Sequence, residues 1–265
     1  MSLFEAIILG IIQGLTEFLP VSSSGHIEIG SYFLGVQSSD NLLFSIIVHA
    51  ATALSTIVVF RQTIWEIIRD LFKFQWNEST QFAAKIVLSM IPVGIVGVLF
   101  EDKIEALFGG NIVFVACMLL ITGTLLTITY YTKDKDNKVT FVKALIIGIA
   151  QTIAILPGIS RSGATIATAL YLGVEKNKAT RFSFLMVLPP ILGAALLKTL
   201  EFAEAPELAT GNISGLTLAA GFISAFIAGL LACQWMIAIV RRGKLIYFAI
   251  YCFIIASAVL IAQLF

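Results

Sequence analysis

The sequence predicts an all-α integral membrane protein: six transmembrane helices plus two re-entrant helix–loop–helix hairpins, arranged as an inverted-topology internal repeat. Three observations predict it. The first is composition. Of 265 residues, 58% are hydrophobic and only 12% are charged, where a soluble domain carries about 25% charged residues; mean hydropathy is +0.98. The second is a repeat at an offset of 138 positions. Residues 10–26 read GIIQGLTEFLPVSSSGH and residues 148–164 read GIAQTIAILPGISRSGA; between 5–36 and 143–174, 11 of 32 positions are identical without a gap. The third is the placement of Lys and Arg, set out below.

Each element follows from the residues in order. Residues 3–19 are apolar up to Pro20, then three serines, a glycine and a histidine follow at once, and the stretch to Gly35 carries His26 and Glu28. That second part is too short and polar to cross a bilayer core of about 30 Å, so a hairpin that dips in and returns is expected. Its mate, within residues 143–174, ends its first helix at Pro157. Irregular backbone at membrane depth is tolerated only inside protein or along a wet cavity, and inverted repeats put such cavities between the halves. Six further runs, 42–60, 83–100, 112–131, 182–200, 216–240 and 245–265, are long and apolar enough to span. The chain is therefore one membrane domain, 1–265, with repeat 1 over about 1–132 and repeat 2 over about 140–265.

Charge tests the parity. Three spans follow each hairpin, so the second half is inverted. Six crossings put segments 61–85, 133–143, 176–181 and 241–244 on one side, and these hold 14 of the 17 Lys and Arg. The other side holds Lys103 and Lys198 among Glu101, Asp102, Glu105, Glu201, Glu204 and Glu207. The basic side is cytoplasmic and both termini lie outside. One basic residue is left over: Arg161, inside the second hairpin.

Other function classes recede. A net charge of +1 gives no basic footprint for nucleic acid. Cys117, Cys233 and Cys252 lie in apolar runs and read as small hydrophobes. The N-terminus lacks a basic n-region and a small-residue cleavage site, so no signal peptide is expected. Trp65 and Trp76 read as interface anchors, and the basic amphipathic stretch 65–74 as lying on the membrane surface. His49 reads as a hydrogen-bonded spacer in the bundle. Glu28 faces either a cavity or the outer interface.

The hairpins carry the chemistry. Ser22, Ser23, Ser24 and Gly25, and Ser160, Arg161, Ser162 and Gly163, offer hydroxyl N-caps and small residues at helix starts. A helix N-terminus presents unpaired N–H groups and the positive end of the dipole, which suits phosphate. Arg161 adds a planar fork for phosphate oxygens. Serines and glycines alone also allow close helix packing, but that does not account for an intramembrane arginine. The first hairpin adds reactive groups: Gln13 and Glu17 one turn apart, then Ser23 and His26 on one face. Carboxylate, hydroxyl and imidazole opposite an arginine suggest phosphoryl transfer. Glu17 and Gln13 are also oxygen donors for a hard divalent cation shared with phosphate. A plain Glu17–Arg161 ion pair is the alternative reading. A transporter or flippase for an anionic lipid also suits broken helices; against it, Glu17 and His26 face Ile155 and Ala164 at the repeat-related positions, and a transport site needs no such one-sided reactive set.

QGLTEFLPVSSSGH and PGISRSGAT closely resemble the two signature motifs of the bacterial undecaprenyl-diphosphate phosphatase family of the bacitracin-resistance type. The likeness covers essentially the whole chain, including FSF at 182–184. It implies removal of the terminal phosphate of undecaprenyl diphosphate at the outer face of the plasma membrane, regenerating the carrier lipid for cell-wall synthesis, with dependence on a divalent cation (Mg or Ca). By matching motif positions, Glu17, Ser23, His26 and Arg161 correspond to the catalytic residues, with Ser160 and Thr165 in support. The substrate-contacting set expected is Gln13, Ser22, Ser24, Gly25, Ser160, Ser162, Gly163 and Thr165. The partners expected are the polyprenyl diphosphate and membrane lipids, not nucleic acid; a homodimer is compatible with the sequence. One departure is Gln13, where the family often has glutamate: an amide is no base and a weaker metal ligand, so those tasks fall on Glu17. Ser23 is expected to attack or to position the attack, with His26 as its nearest base; direct attack by water is the competing reading.

Overall fold

Ser2 opens the first helix with a capping box. Its hydroxyl accepts from Glu5 N–H (3.3 Å) and the Glu5 carboxylate accepts from Ser2 N–H (2.8 Å), which settles two of the donors a helix start leaves open. A computed structural model of the chain describes residues 1–36, 38–107, 111–132, 135–204 and 213–264. Lys133, Glu207 and Phe265, used in the charge and span arguments, lie outside the described residues. So do the side chains of Leu42, Glu101, Asp102, Glu105, Lys198, Glu201 and Glu204.

The described residues are helical: α1 Leu3–Phe18, α2 Ser23–Leu34, α3 Ser38–Val59, α4 Arg61–Leu71, α5 Glu78–Leu99, α6 Glu101–Leu107, α7 Ile112–Thr129, α8 Phe141–Ile153, α9 Arg161–Tyr171, α10 Lys176–Met186, α11 Leu188–Glu204, α12 Gly215–Arg241 and α13 Ile246–Ala262. Adding 138 to the first residues of α1, α2 and α3 gives the first residues of α8, α9 and α10, so the repeat in sequence is a repeat of elements.

Four stretches are long and apolar enough to cross a membrane: Glu78–Leu99, Ile112–Thr129, Lys176–Leu197 and Gly215–Arg241. Leu43–Val59 with Arg61–Leu71 makes a fifth if counted together, although the two bend by 77°. The bend has a cause in the residues. Helix α4 is amphipathic, with two arginines balanced by Glu66 and Asp70, and buries none of its side chains, so it suits an interface better than the bundle interior; Trp65 and Trp76 are each 65% exposed, as anchors require. The boundaries differ from the sequence expectation in three places. The span expected from residue 83 starts at Glu78, because the Asn77 side chain caps it through Thr80 N–H. The span expected at 182–200 starts at Lys176, capped by Glu175 through Lys178 N–H at 3.0 Å. It is interrupted at Val187, since Pro189 and Pro190 bring no N–H for the carbonyls one turn back. The expected sixth span, α13, has 17 residues.

The halves pack reciprocally. Helix α1 lies against α12, and its repeat mate α8 lies against α5, the mate of α12. Helices α7 and α13, mates of one another, pair directly. Glycines permit the closest of these approaches: a Cβ on Gly10 would strike Gly221 and Ser224 of α12, and one on Gly148 would strike the Ser89 backbone of α5. Each hairpin is thus clamped by a helix of the other half, and the two breaks come together in the interior.

Candidate active site

The breaks are built from complementary turns. Ser22 caps α2, its hydroxyl accepting from Gly25 N–H at 3.3 Å; Ser160 caps α9, accepting from Gly163 N–H at 3.0 Å. The turns reach these caps differently. In the second, Gly158 takes a φ of +98°, which glycine adopts at no steric cost. In the first, the equivalent residue is Pro20, whose ring fixes φ near −65°, and the left-handed conformation falls instead on Ser22, φ +70°. A non-glycine residue held there stores on the order of 1–3 kcal/mol and is characteristic of functional turns.

The two turns abut. A Cβ on Gly25 would sit 3.1 Å from Gly158 Cα, and a Cβ on Gly163 would sit 3.3 Å from Pro20 Cβ; both pairs are related by the 138 offset. Ser162 Oγ donates across the junction to the Leu19 carbonyl (3.2 Å). Thr122 of α7 ties the second turn down, donating to Gly158 O (3.0 Å) and accepting from Ser160 N–H (3.0 Å). The backbone N–H groups of Ser23, Ser24, Arg161 and Ser162, at the first two positions of α2 and α9, have no partner among the described residues. Two helix N-termini therefore present open donors at one junction.

Glu17 sits where the turns meet. Its carboxylate is 5% exposed and pairs through Oε1 with the Arg161 guanidinium, itself 24% exposed. Oε2 accepts from Ser23 Oγ at 2.7 Å and from Gln13 Nε2 at 3.0 Å. Gln13 Nε2 also reaches Thr52 Oγ1 (3.4 Å), while the buried Gln13 Oε1 finds no partner. Glu17, Arg161, Ser162, Thr52 and Ser183 line one recess, closed on its other sides by Phe18, Phe184 and Val187.

The structure thus brings together Gln13, Glu17, Ser23 and Arg161. Ser22 and Ser160 lie beneath, engaged as caps, with Gly25 and Gly163 at the contact between turns. Ser24 and Ser162 sit beside their capping serines, hydroxyl to hydroxyl at 3.4 and 3.3 Å. Thr165 is 1% exposed; it donates to Arg161 O (2.8 Å) and bonds to Ser183 Oγ (2.6 Å), so it braces α9 on α10. His26 does not face the Ser23 hydroxyl as expected. Its Nδ1 is 2.8 Å from Ser22 O and its Nε2 2.9 Å from Tyr251 OH, with the rings stacked at 13°. Both nitrogens are thereby engaged, and the group next to Ser23 is Glu17. His49 is hydrogen-bonded to Ser45 O (2.7 Å), as a spacer would be, yet its Nε2 lies 3.7 Å from Glu17 Oε2, so it belongs to the site. Tyr251, His49 and Thr122 are what sequence reasoning missed or misread; they come from spans with no motif of their own.

Among the described residues, no group of three or more His, Cys, Asp or Glu side chains converges as a metal cage. The donor set fits a cation shared with phosphate oxygens instead: one carboxylate, Glu17, and the orphaned amide oxygen of Gln13.

The family model described as "Bacitracin resistance protein BacA" matches residues 6–258. Curated relatives align end to end. The undecaprenyl-diphosphatase of Bacteroides thetaiotaomicron is 55% identical over 265 residues, 100% of both chains. That of Christiangramia forsetii is 56% identical over 263 residues, 98% of each. That of Salinibacter ruber is 40% identical, over 97% of this chain and 98% of its own. With both turns, their shared carboxylate and this length of match in hand, the chain belongs to the bacitracin resistance protein BacA family.

Proposed function

We propose that the protein is a membrane-embedded undecaprenyl-diphosphate phosphatase, releasing the terminal phosphate to leave the monophosphate carrier lipid. The single observation that carries the chemistry is the Glu17 carboxylate held between Ser23 Oγ, at 2.7 Å, and the Arg161 guanidinium. A nucleophile within hydrogen-bond reach of a base, and a base oriented by a third group, is the arrangement covalent catalysis needs. The names of full-length relatives favour a phosphatase over a lipid transporter.

The diphosphate enters with its oxygens toward Arg161 and the open N–H groups of α2 and α9. Phosphate competes with Glu17 for the guanidinium, so the cation is drawn to the substrate and the carboxylate is left with Ser23. Ser23 Oγ attacks the terminal phosphorus, Glu17 takes its proton, and the bond from that phosphorus to the bridging oxygen breaks. Undecaprenyl phosphate leaves with the proton that Glu17 took from Ser23, and the freed carboxylate then deprotonates water, which attacks the phosphoserine; the bond from phosphorus to Ser23 Oγ breaks, Glu17 returns the proton to that oxygen, and phosphate is released. Charge stabilisation from Arg161 and the two helix ends supplies most of the rate. A divalent cation (Mg or Ca) bound through Glu17 and Gln13 would neutralise the diphosphate charge. His26 gives its Nδ1–H to Ser22 O and holds its Nε2 on the Tyr251 hydroxyl, so it steadies the first turn and exchanges protons with the site only through Tyr251.

The arrangement we favour is six spans and two re-entrant hairpins, with repeat 1 (about 1–132) inverted relative to repeat 2 (about 140–265). The Lys and Arg count supports a plasma-membrane enzyme with both termini outside and a site opening to the outer face. Purified protein should release phosphate from undecaprenyl diphosphate, lose that activity to a chelator and regain it with Mg or Ca. No release from any polyprenyl diphosphate would sink the assignment.

A further inference from the structure

Helix α7 carries four threonines, and one of them bonds unlike the rest. Thr124, Thr127 and Thr129 turn their hydroxyls back to carbonyls of their own helix, Leu120 O (2.9 Å), Gly123 O (2.8 Å) and Leu126 O (2.6 Å). That is the ordinary way for a threonine to satisfy itself inside a helix. Thr122 commits its hydroxyl to another element. It donates to Gly158 O (3.0 Å) and accepts from Ser160 N–H (3.0 Å), and all three residues are buried.

The two bonds bracket the turn that leads into Arg161. Gly158 O and Ser160 N–H lie on either side of Ile159, and Ser160 is the residue that caps α9. A Cβ on Gly158 would strike the Val115 carbonyl and Met118 Cβ of α7, so the turn is seated directly on that helix. Val115, Met118 and Thr122 are spaced three and four apart and form one face. The far end of α9 is tied to the same helix, because Tyr171 OH donates to Leu125 O. Helix α7 has little room to move toward α13: a Cβ on Gly123 would lie 3.0 Å from the Phe253 ring.

The first turn is held differently. Leu260 stands at the repeat position of Thr122 and has no hydroxyl. Helix α13 meets the first turn with the Cys252 thiol, a weak donor, 3.9 Å from Pro20 O. The difference follows from what each turn is made of. The ring of Pro20 restricts the first turn, whereas Gly158, at the matching position, has the widest conformational freedom of any residue type. The turn that must aim Arg161 at the site is the one whose backbone needs an outside restraint.

We propose that Thr122 is a positioning residue for the reaction. Acting through Gly158 O and Ser160 N–H, it holds the second turn where the Arg161 guanidinium and the start of α9 meet the phosphate oxygens. Without its two bonds the turn samples other placements, and the bound phosphate must select the productive one. Affinity then falls by the fraction of time the turn is out of place, while the saturated enzyme still turns over. This inference rests on the phosphatase reading.

The test compares Thr122→Val, Thr122→Ser and Thr127→Val in detergent-solubilised full-length protein. Affinity for farnesyl methylenediphosphonate, whose bridging carbon resists hydrolysis, is measured by calorimetry, beside KM and kcat for undecaprenyl diphosphate and the melting temperature. Valine keeps the shape of threonine and removes both bonds. It should weaken the analogue and raise KM about tenfold, with kcat within about threefold of wild type. Serine keeps the hydroxyl and should bring affinity and KM to within about threefold of wild type. Thr127→Val removes a hydroxyl that bonds within the helix, and should leave affinity unchanged whatever it does to melting temperature. If Thr122→Val does not fold, Thr122→Cys should show the same pattern at smaller amplitude, a thiol being the weaker partner.

A lowered melting temperature in Thr122→Val with affinity and KM unmoved would reduce Thr122 to packing and overturn the proposal. So would a serine variant as weak as the valine one, or an equal loss of affinity in Thr127→Val. Wild-type protein that binds the analogue yet releases no phosphate would instead refute the phosphatase reading, and the affinity ratios would still decide the role of Thr122.

Discussion

Ser23 donates its hydroxyl to Glu17 Oε2 at 2.7 Å across the break between α1 and α2. The residues are six apart, too far to face each other on one helix, so the contact exists only because the chain breaks between them. Pro20 ends the first helix, the left-handed Ser22 turns the chain, and Ser23 starts the next with its side chain pointing back. The strain at Ser22 and the alignment of Ser23 are one feature of the backbone.

Arg161 and Glu17 are mutually dependent. Arg161→Gln leaves a carboxylate buried without its cation, which typically costs about 3–5 kcal/mol. Combining it with Glu17→Gln should recover most of that stability and none of the activity. Arg161→Lys keeps charge but loses the planar fork and should be markedly impaired. Thermal unfolding and phosphate release on the four-member cycle measure both effects. Additive losses in stability would mean the pair is not coupled.

Tyr251 holds His26 through one hydrogen bond and a stacked ring. In Tyr251→Phe the stacking stays and the bond goes, so kcat should fall up to about tenfold and the pH–rate profile should change with little loss in melting temperature. An unchanged profile with a lowered melting temperature would reduce Tyr251 to packing.

The turn-to-turn contacts leave little slack. Gly25→Ala and Gly163→Ala should each weaken phosphate release, because the added methyl must push Gly158 or Pro20 away by a few tenths of an ångström. Gly158→Ala should be worst, since it adds a left-handed strain of about 1 kcal/mol or more. Should Gly158→Ala match wild type in rate and melting temperature, the turns are not in register as described.

Much of this was legible in the sequence because it is local. Hydroxyls three residues before glycines marked the caps of α2 and α9, and the 138 offset placed the hairpins as mates. The His26 expectation failed for a physical reason. Three-residue spacing puts Ser23 and His26 on one face, but Ser23 turns back toward Glu17 while His26 is drawn to Tyr251, 225 positions away. Thr122 and His49 were hidden for the same reason: their roles depend on which spans pack beside the turns. Helix starts at Glu78 and Lys176 slipped because polar capping turns extend helices beyond their apolar runs.

The topology predicts sidedness. In a cysteine-free background, Lys138→Cys should label from the cytoplasmic side and Lys103→Cys from outside. Labelling of both from one side would contradict six crossings.

The central claim is that Ser23 attacks phosphorus with Glu17 as its base. Rapid quench with terminally labelled undecaprenyl diphosphate tests it most directly. The account predicts labelled phosphate trapped on Ser23 in the wild type, and a loss in Ser23→Ala well beyond the roughly ten- to hundredfold of one or two missing hydrogen bonds. Full turnover with no phosphoserine at any time, and only that modest loss in Ser23→Ala, would hand the attack to water.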